Sequence, residues 1–236
     1  MTAGAIATAF GTTFTSRLTG SSHPTAGATA AFTVLAQCSG AAAEGRGALV
    51  INQHLTSLAV ALQDVDSQTP RLQSWGAAAG AVLTGNGRLL VCGTGGSAQQ
   101  ARHLAARLAR REDDRPPLAA VAVPADPVAC ASGADLLAGH IRALGRVGDI
   151  LLCVSACGTD LEVVSAARTA SKLGMTTWAL TGPAPNPLAG ACADAVAVSA
   201  AAASTAQEVH LAAIHIFCAA VDSAVRDTLS TGQHTL

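Results

Sequence analysis

The chain has 236 residues, half of them apolar, and a formal net charge of −1. That length suffices for one domain with a real core and is too short for two large ones. With 14 basic side chains, no basic stripe and no interleaved aromatics, the composition argues against nucleic acid as a direct ligand. An anionic small molecule has to be held by local donors rather than by overall charge. No apolar run reaches transmembrane length without polar interruption, and the first residues lack a basic stretch followed by an apolar one, so neither a membrane span nor a secretory signal is expected.

Residues 1–40 carry one charged side chain, Arg17, among many Thr, Ala, Ser and Gly. The absence of a sustained period predicts a low-complexity, disordered extension over 1–45. From about residue 50 the pattern turns helical, with apolar Leu55, Leu58 and Leu62, then Leu72, Trp75, Ala79 and Leu83. Ser67-Gln68-Thr69-Pro70 interrupts that run and predicts two helices, the second capped by Thr69 with Pro70 in its first turn. Gly85-Asn86-Gly87 should end it.

Strands and helices then alternate. Strands are expected over 89–92, 118–123, 149–155, 176–181 and 193–198, and helices over 97–111, 130–144, 161–173 and 205–229. Short apolar strands alternating with helices predict an α/β fold with a buried, five-stranded parallel sheet and helices on both faces. Ligands of such sheets bind outside the carboxyl ends of the strands. The seven cysteines, at 38, 92, 130, 153, 157, 192 and 218, form no CxxC pair and read as small buried hydrophobes of a reducing cytoplasm.

Three groups of residues can carry chemistry. After the first strand, Gly93-Thr94-Gly95-Gly96-Ser97 opens a helix, where unpaired backbone amides favour an anion and Ser97 is placed at the N-cap. It lacks the spacing of a P-loop or a dinucleotide fingerprint, and an ordinary capped turn explains it equally well. After the third strand, Ser155-Ala156-Cys157-Gly158-Thr159-Asp160 repeats the design, and two such turns on one sheet edge make a phosphate cradle. Thr181-Gly182 is a weaker third turn. The last group is polar: His103 and Arg107 share a helix face at i and i+4, while Gln207, His210 and His215 lie on the final helix. A core histidine satisfied by one hydrogen bond is the plainer reading of each imidazole alone.

The stretch VCGTGGSAQQARHLAARL over 91–108 resembles the GNGGSAADAQHxAAEL signature of phosphoheptose isomerases, members of the SIS-domain family. ALGRVGDILLCVS over 143–155 and TAQEVHLAAIHIFCAAVD over 205–222 are similar to the same family. The resemblance runs from about 50 to 230 and implies a single SIS domain over 50–232. With it come an αβα sandwich with a long C-terminal helix and a cytoplasmic homotetramer with sites at subunit interfaces. It also implies carbohydrate metabolism: the isomerisation of sedoheptulose 7-phosphate to an aldoheptose 7-phosphate. By the same resemblance, Gly95, Gly96, Ser97, Ser155, Gly158 and Thr159 hold the phosphate, and His103, Gln207 and His215 surround the carbonyl end, with His215 as the acid–base group.

Three departures stand on these positions. Arg107 takes the place of a catalytic glutamate, and an arginine is neither a general base nor a zinc ligand. In some members His103, residue 107, Gln207 and His215 bind zinc; with Arg107 there, no metal and no cofactor is expected. Cys157 and Asp160 replace two serines of the phosphate turn, and a carboxylate beside a phosphate repels it. Segment 125–138 keeps Asp126 but lacks most polar residues of the family's loop. The expected function is a phosphosugar aldose–ketose isomerase with altered activity, His215 and Arg107 acting on the carbonyl. The alternative is a non-catalytic module that binds a sugar phosphate or a protein partner, as relatives that bind the bacterial replication initiator do.

Overall fold

The computed structural model describes residues 45–110, 115–125 and 135–233. The expectation for 1–45 lies outside the described residues apart from Gly45, and most of the 125–138 segment lies outside them too. From residue 56 onward the described residues form one compact unit.

The first element is a single helix, α1 (Gly45–Thr84), with Pro70 inside it. The expected break at 67–70 is not there, and Thr69 is no N-cap: its hydroxyl donates back to the Val65 carbonyl at 3.3 Å, as Ser67 does to Asp64 at 2.7 Å. A polar seam carries the helix past the proline. Before it, Asp64 accepts from the Ser199 amide and Gln68 donates to the Ala197 carbonyl. After it, Arg71 donates to the Ala195 carbonyl and Trp75 to the Asp194 carboxylate. Both halves of α1 are therefore pinned along one strand, which offsets the lost backbone hydrogen bond. The apolar face reads Ala61, Val65, Leu72, Trp75, Ala79 and Leu83, whereas Leu55 and Leu62 are exposed. The turn at 85–87 ends α1 as expected, with Asn86 at φ +67° and the Gly87 amide on the Val82 carbonyl.

The rest alternates: β1 (Leu89–Gly93), α2 (Gly95–Ala109), β2 (Ala120–Ala122), α3 (Leu136–Leu144), β3 (Ile150–Ser155), α4 (Leu161–Lys172), β4 (Thr176–Thr181), α5 (Pro187–Ala191), β5 (Asp194–Ala197) and α6 (Ala203–Gln233). The five strands pair in parallel in the order β2-β1-β3-β4-β5. Successive strand residues face opposite layers. Leu89, Val91, Ile150, Leu152 and Val154 join α1, α2 and α6 in one core. Leu90, Cys92, Leu151 and Cys153 join α3, α4 and α5 in the other.

Helix α6 is long and apolar enough to cross a membrane by length and composition, but half of that stretch is buried in the fold. Val209, Ala213, Phe217 and Val221 lie fully inside the first core. Helix α5 was not expected from the sequence. Its signal was present in Asn186-Pro187, a capping residue before a first-turn proline, and Asn186 Oδ1 accepts from the Ala189 amide at 2.9 Å.

Candidate functional site

In a doubly wound sheet of order 2-1-3-4-5 the direction of winding reverses between β1 and β3, and the crevice opens at their carboxyl ends. Both glycine turns leave the sheet there. In the first, Gly93 is demanded by packing: a Cβ would lie 2.8 Å from the Val154 carbonyl and 2.9 Å from the Ser97 backbone. Gly95 holds φ +52°, a left-handed conformation that glycine adopts without strain. The N-cap is Thr94, not Ser97. Ser97 stands three residues later, buried in the first turn with its amide on the Thr94 carbonyl. The helix therefore begins earlier than expected, and the amides of Gly95 and Gly96 have no intrahelical acceptor. Gly96 leaves room for α6: a Cβ there would come within 2.6 Å of the Gln207 carboxamide. Gln100 fixes the same crossing by donating to the Gln207 carbonyl.

The second turn is closed on itself. Ser155 is fully buried; its hydroxyl donates to Asp160 Oδ2 at 2.6 Å and accepts from the Gly158 amide at 3.0 Å. Thr159 donates to Cys157 Sγ at 3.1 Å. Partial burial alone would raise the Cys157 thiol pKa, but hydrogen bonds from Thr159 and Ser155 outweigh it and the net shift is downward. Cys157 is exposed and Cys192 half-buried, so among the described residues the buried reading holds for Cys92, Cys153 and Cys218. Gly158, at φ +69°, lies where a side chain would strike Thr181 and Asn186.

The imidazoles separate into two kinds. His210 is fully buried, and its Nε2 donates to the Thr181 carbonyl at 3.1 Å, so it belongs to the core and not to the site. Burial pushes its pKa down to about 4, against a smaller opposing effect of that hydrogen bond. His103 on α2 and His215 on α6 meet, Nε2 to Nε2 at 3.0 Å, with rings edge to face. The His215 pKa is lowered first by desolvation, then by the charges of His103 and Arg107. Arg107 is half-buried one turn from His103, bonded to the Cys218 thiol, and its Nε–H is buried without a partner. Burial drives the Cys218 thiol up to about 12, although Arg107 opposes the shift.

Sequence reasoning missed the support behind this cluster. Arg115, fully buried, binds Asp222 on α6 at 2.5 Å and donates to the carbonyls of Arg107, Leu108, Arg110 and Pro116. It ties the end of α2 to α6 just behind Arg107. No local pattern announces a pair separated by 107 residues.

The zinc set of the resemblance does not fit these residues. Arg107 offers a cation where a ligand is needed, and the described residues hold no group of three His, Cys, Asp or Glu able to take a metal. A cleft of about 340 Å³ lined by Asn86, Gly87, Arg146, Val147 and Asp149 lies at the amino edge of the sheet, and none of the site residues lines it.

Glycine turns at the winding reversal, with a histidine pair on flanking helices, define a parallel α/β protein with a crevice at the carboxyl ends of β1 and β3. Residues 53–182 match the SIS domain. The phosphoheptose isomerase of Streptomyces coelicolor is 44% identical over 188 residues, covering 77% of this chain and 80% of that protein. The phosphoheptose isomerase of Francisella tularensis superposes with a TM-score of 0.69 at 29% identity, covering 76% of this chain and all of that one. The enzyme of Neisseria gonorrhoeae gives 0.65 at 30%, covering 73% and 97%. The chain belongs to the SIS-domain family, among the phosphoheptose isomerases.

Proposed function

We propose that this protein is a phosphosugar aldose–ketose isomerase of altered activity. The observation that carries the reading is the His103–His215 pair, 3.0 Å apart, on the two helices that meet at the first glycine turn. The amides of Gly95 and Gly96, with Ser97, bind the phosphate at the α2 N-terminus. Isomerisation moves a proton between neighbouring carbons while the carbonyl is polarised. A lowered pKa keeps His215 neutral at neutral pH, ready to accept a proton. Arg107 stands at the position that the resemblance gives to a glutamate and polarises the carbonyl oxygen, with Gln207 and His103 orienting the sugar. Ser155, Gly158 and Thr159 shape the far wall. The protein works in the cytoplasm as a homo-oligomer, a dimer or tetramer.

Turnover of sedoheptulose 7-phosphate by the isolated protein is expected to be weak, since loss of one general base costs about 10²–10⁴ in rate. Arg107→Glu should raise it in a coupled assay. Full activity in the unaltered protein, lost in Arg107→Ala, would make the arginine itself essential and sink the reduced-activity reading.

A second reading is favoured by one observation, the Asp160 carboxylate occupying the Ser155 hydroxyl. It makes the chain a non-catalytic module that binds a sugar phosphate or a protein partner. Arg107→Glu leaves such a protein inactive.

A further inference from the structure

Three cysteines meet in the second core, on the side of the sheet covered by α3, α4 and α5. Cys92 on β1 and Cys153 on β3 are register partners; both are fully buried and their sulfurs stand 3.7 Å apart. Cys192 ends α5 and packs against the same core. The next residue, Ala193, is held beside β4 by the carbonyl and hydroxyl of Thr177. Along the sheet, Cys153 is paired with Ala179 and Ala179 with Ala195. Methyl groups at these two positions leave room in the layer for a sulfur to reach β3 from the α5–β5 junction. Cys192 does so: its hydrogen bond is the largest cause holding the Cys153 thiol well above its ordinary pKa, followed by that of Cys92 and by burial.

The three thiols differ in access. Cys92 and Cys153 are sealed, whereas Cys192 is half-buried, so an oxidant arriving from solvent meets Cys192 first. Within hydrogen-bond reach of it lies a second thiol that solvent cannot reach, and condensation with a neighbouring thiol is the usual fate of an oxidised cysteine so placed.

We propose that Cys192 and Cys153 are a disulfide-forming site, oxidised through Cys192 by a peroxide. The O–O bond breaks as Cys192 Sγ takes one oxygen, giving a sulfenic acid and releasing water or an alcohol. Cys153 Sγ then attacks that sulfur, the S–O bond breaks, and a water leaves with the Cys153 proton. Two thiols give up two electrons and two protons, and the peroxide takes them. Attack needs a thiolate, and a thiol that holds its proton tightly is also a poor leaving group, so the bond closes slowly and reopens slowly. In a reducing compartment such bonds are transient and regulatory. The pair is a latch on β3, two residues before Ser155, and it stands or falls independently of the phosphosugar reading.

Peptide mapping of the folded, full-length protein after hydrogen peroxide tests the proposal, with remaining thiols blocked by N-ethylmaleimide in denaturant. Tandem mass spectra that separate Cys153 from Cys157 and Cys192 from Cys218 should show Cys153 linked to Cys192, and dithiothreitol should free both. Oxidation of Cys153 should fall at least tenfold in Cys192→Ser, checked for folding by circular dichroism, with Cys192→Ala as the substitute if the serine variant does not fold. Cys157→Ser should leave the link in place. Cys153 found free in the oxidised protein overturns the proposal, as does its linkage to any other cysteine. Undiminished oxidation of Cys153 without the Cys192 thiol overturns it as well.

Discussion

Arg107 sets the character of the site because one side chain decides both its charge and its ligand capacity. Zinc needs three or four neutral or anionic donors; His103, His215 and Gln207 supply three at most, and a guanidinium shares their space. Metal analysis of the protein after dialysis is therefore expected to find no stoichiometric zinc, and retention of one equivalent would overturn that expectation. His210 makes a separate residue-scale prediction. Its folded pKa of about 4 lies below the ordinary 6.5, so between those values the unfolded chain binds more protons than the folded one. The stability gained from keeping the ring neutral is fully present above pH 6.5 and is lost as pH falls toward 4. A shift of that size is about 3 kcal/mol. Urea titrations at pH 7 and pH 4.5 should show most of that loss, and His210→Gln should flatten this part of the profile.

At the scale of elements, the close pairing of α1 with α6 rests on small residues. Gly76 and Gly80 lie one turn apart against Ala220 and Ala224. A Cβ on Gly76 would stand 2.9 Å from the Ala220 carbonyl carbon and 3.0 Å from the Val221 nitrogen, and backbone cannot yield as a flexible side chain does. Gly76→Ala gains up to about 1 kcal/mol in helix propensity and loses about 1–3 kcal/mol to overpacking. A lowered thermal midpoint is the expected result, and a raised one would show that the helices can part freely. Neither glycine announced this role in the sequence, where each reads as a weak point in a helix. The five strands were legible because parallel strands buried on both faces are short apolar runs. The continuity of α1 was not, because the bonds that carry it past Pro70 come from Asp194, Ala195, Ala197 and Ser199, more than 100 residues away. The site was legible in part: the turns and His103, His215 and Gln207 stood out by type and spacing. Their separation from His210 depended on which helix face met the sheet, and α6 is apolar on too many sides to reveal that.

The whole molecule leaves apolar side chains on its surface. In the compact unit, Val60, Leu62 and Leu211 are 52, 40 and 38% exposed, and they lie on the two long helices. Val209 and Phe217 on α6 are spent on the core and are not free to join an interface. An oligomer built through α1 and α6 is expected to show as a dimer or tetramer by light scattering at micromolar concentration. Val60→Asp with Leu62→Asp should shift it toward monomer, whereas an unchanged mass would place the contact elsewhere.

The seam between α1 and the sheet has an optical consequence. The chain has two tryptophans and no tyrosine, and Trp75 and Trp178 stack with centroids 5.0 Å apart and planes within 2°. Almost all of the protein's near-ultraviolet absorption and emission therefore comes from one pair of rings, one on the long helix and one on β4. Their coupled transitions should give a circular dichroism couplet that vanishes as soon as α1 lifts from the sheet, even while the strands remain paired. The chain thus carries its own spectroscopic gauge of whether that helix is seated.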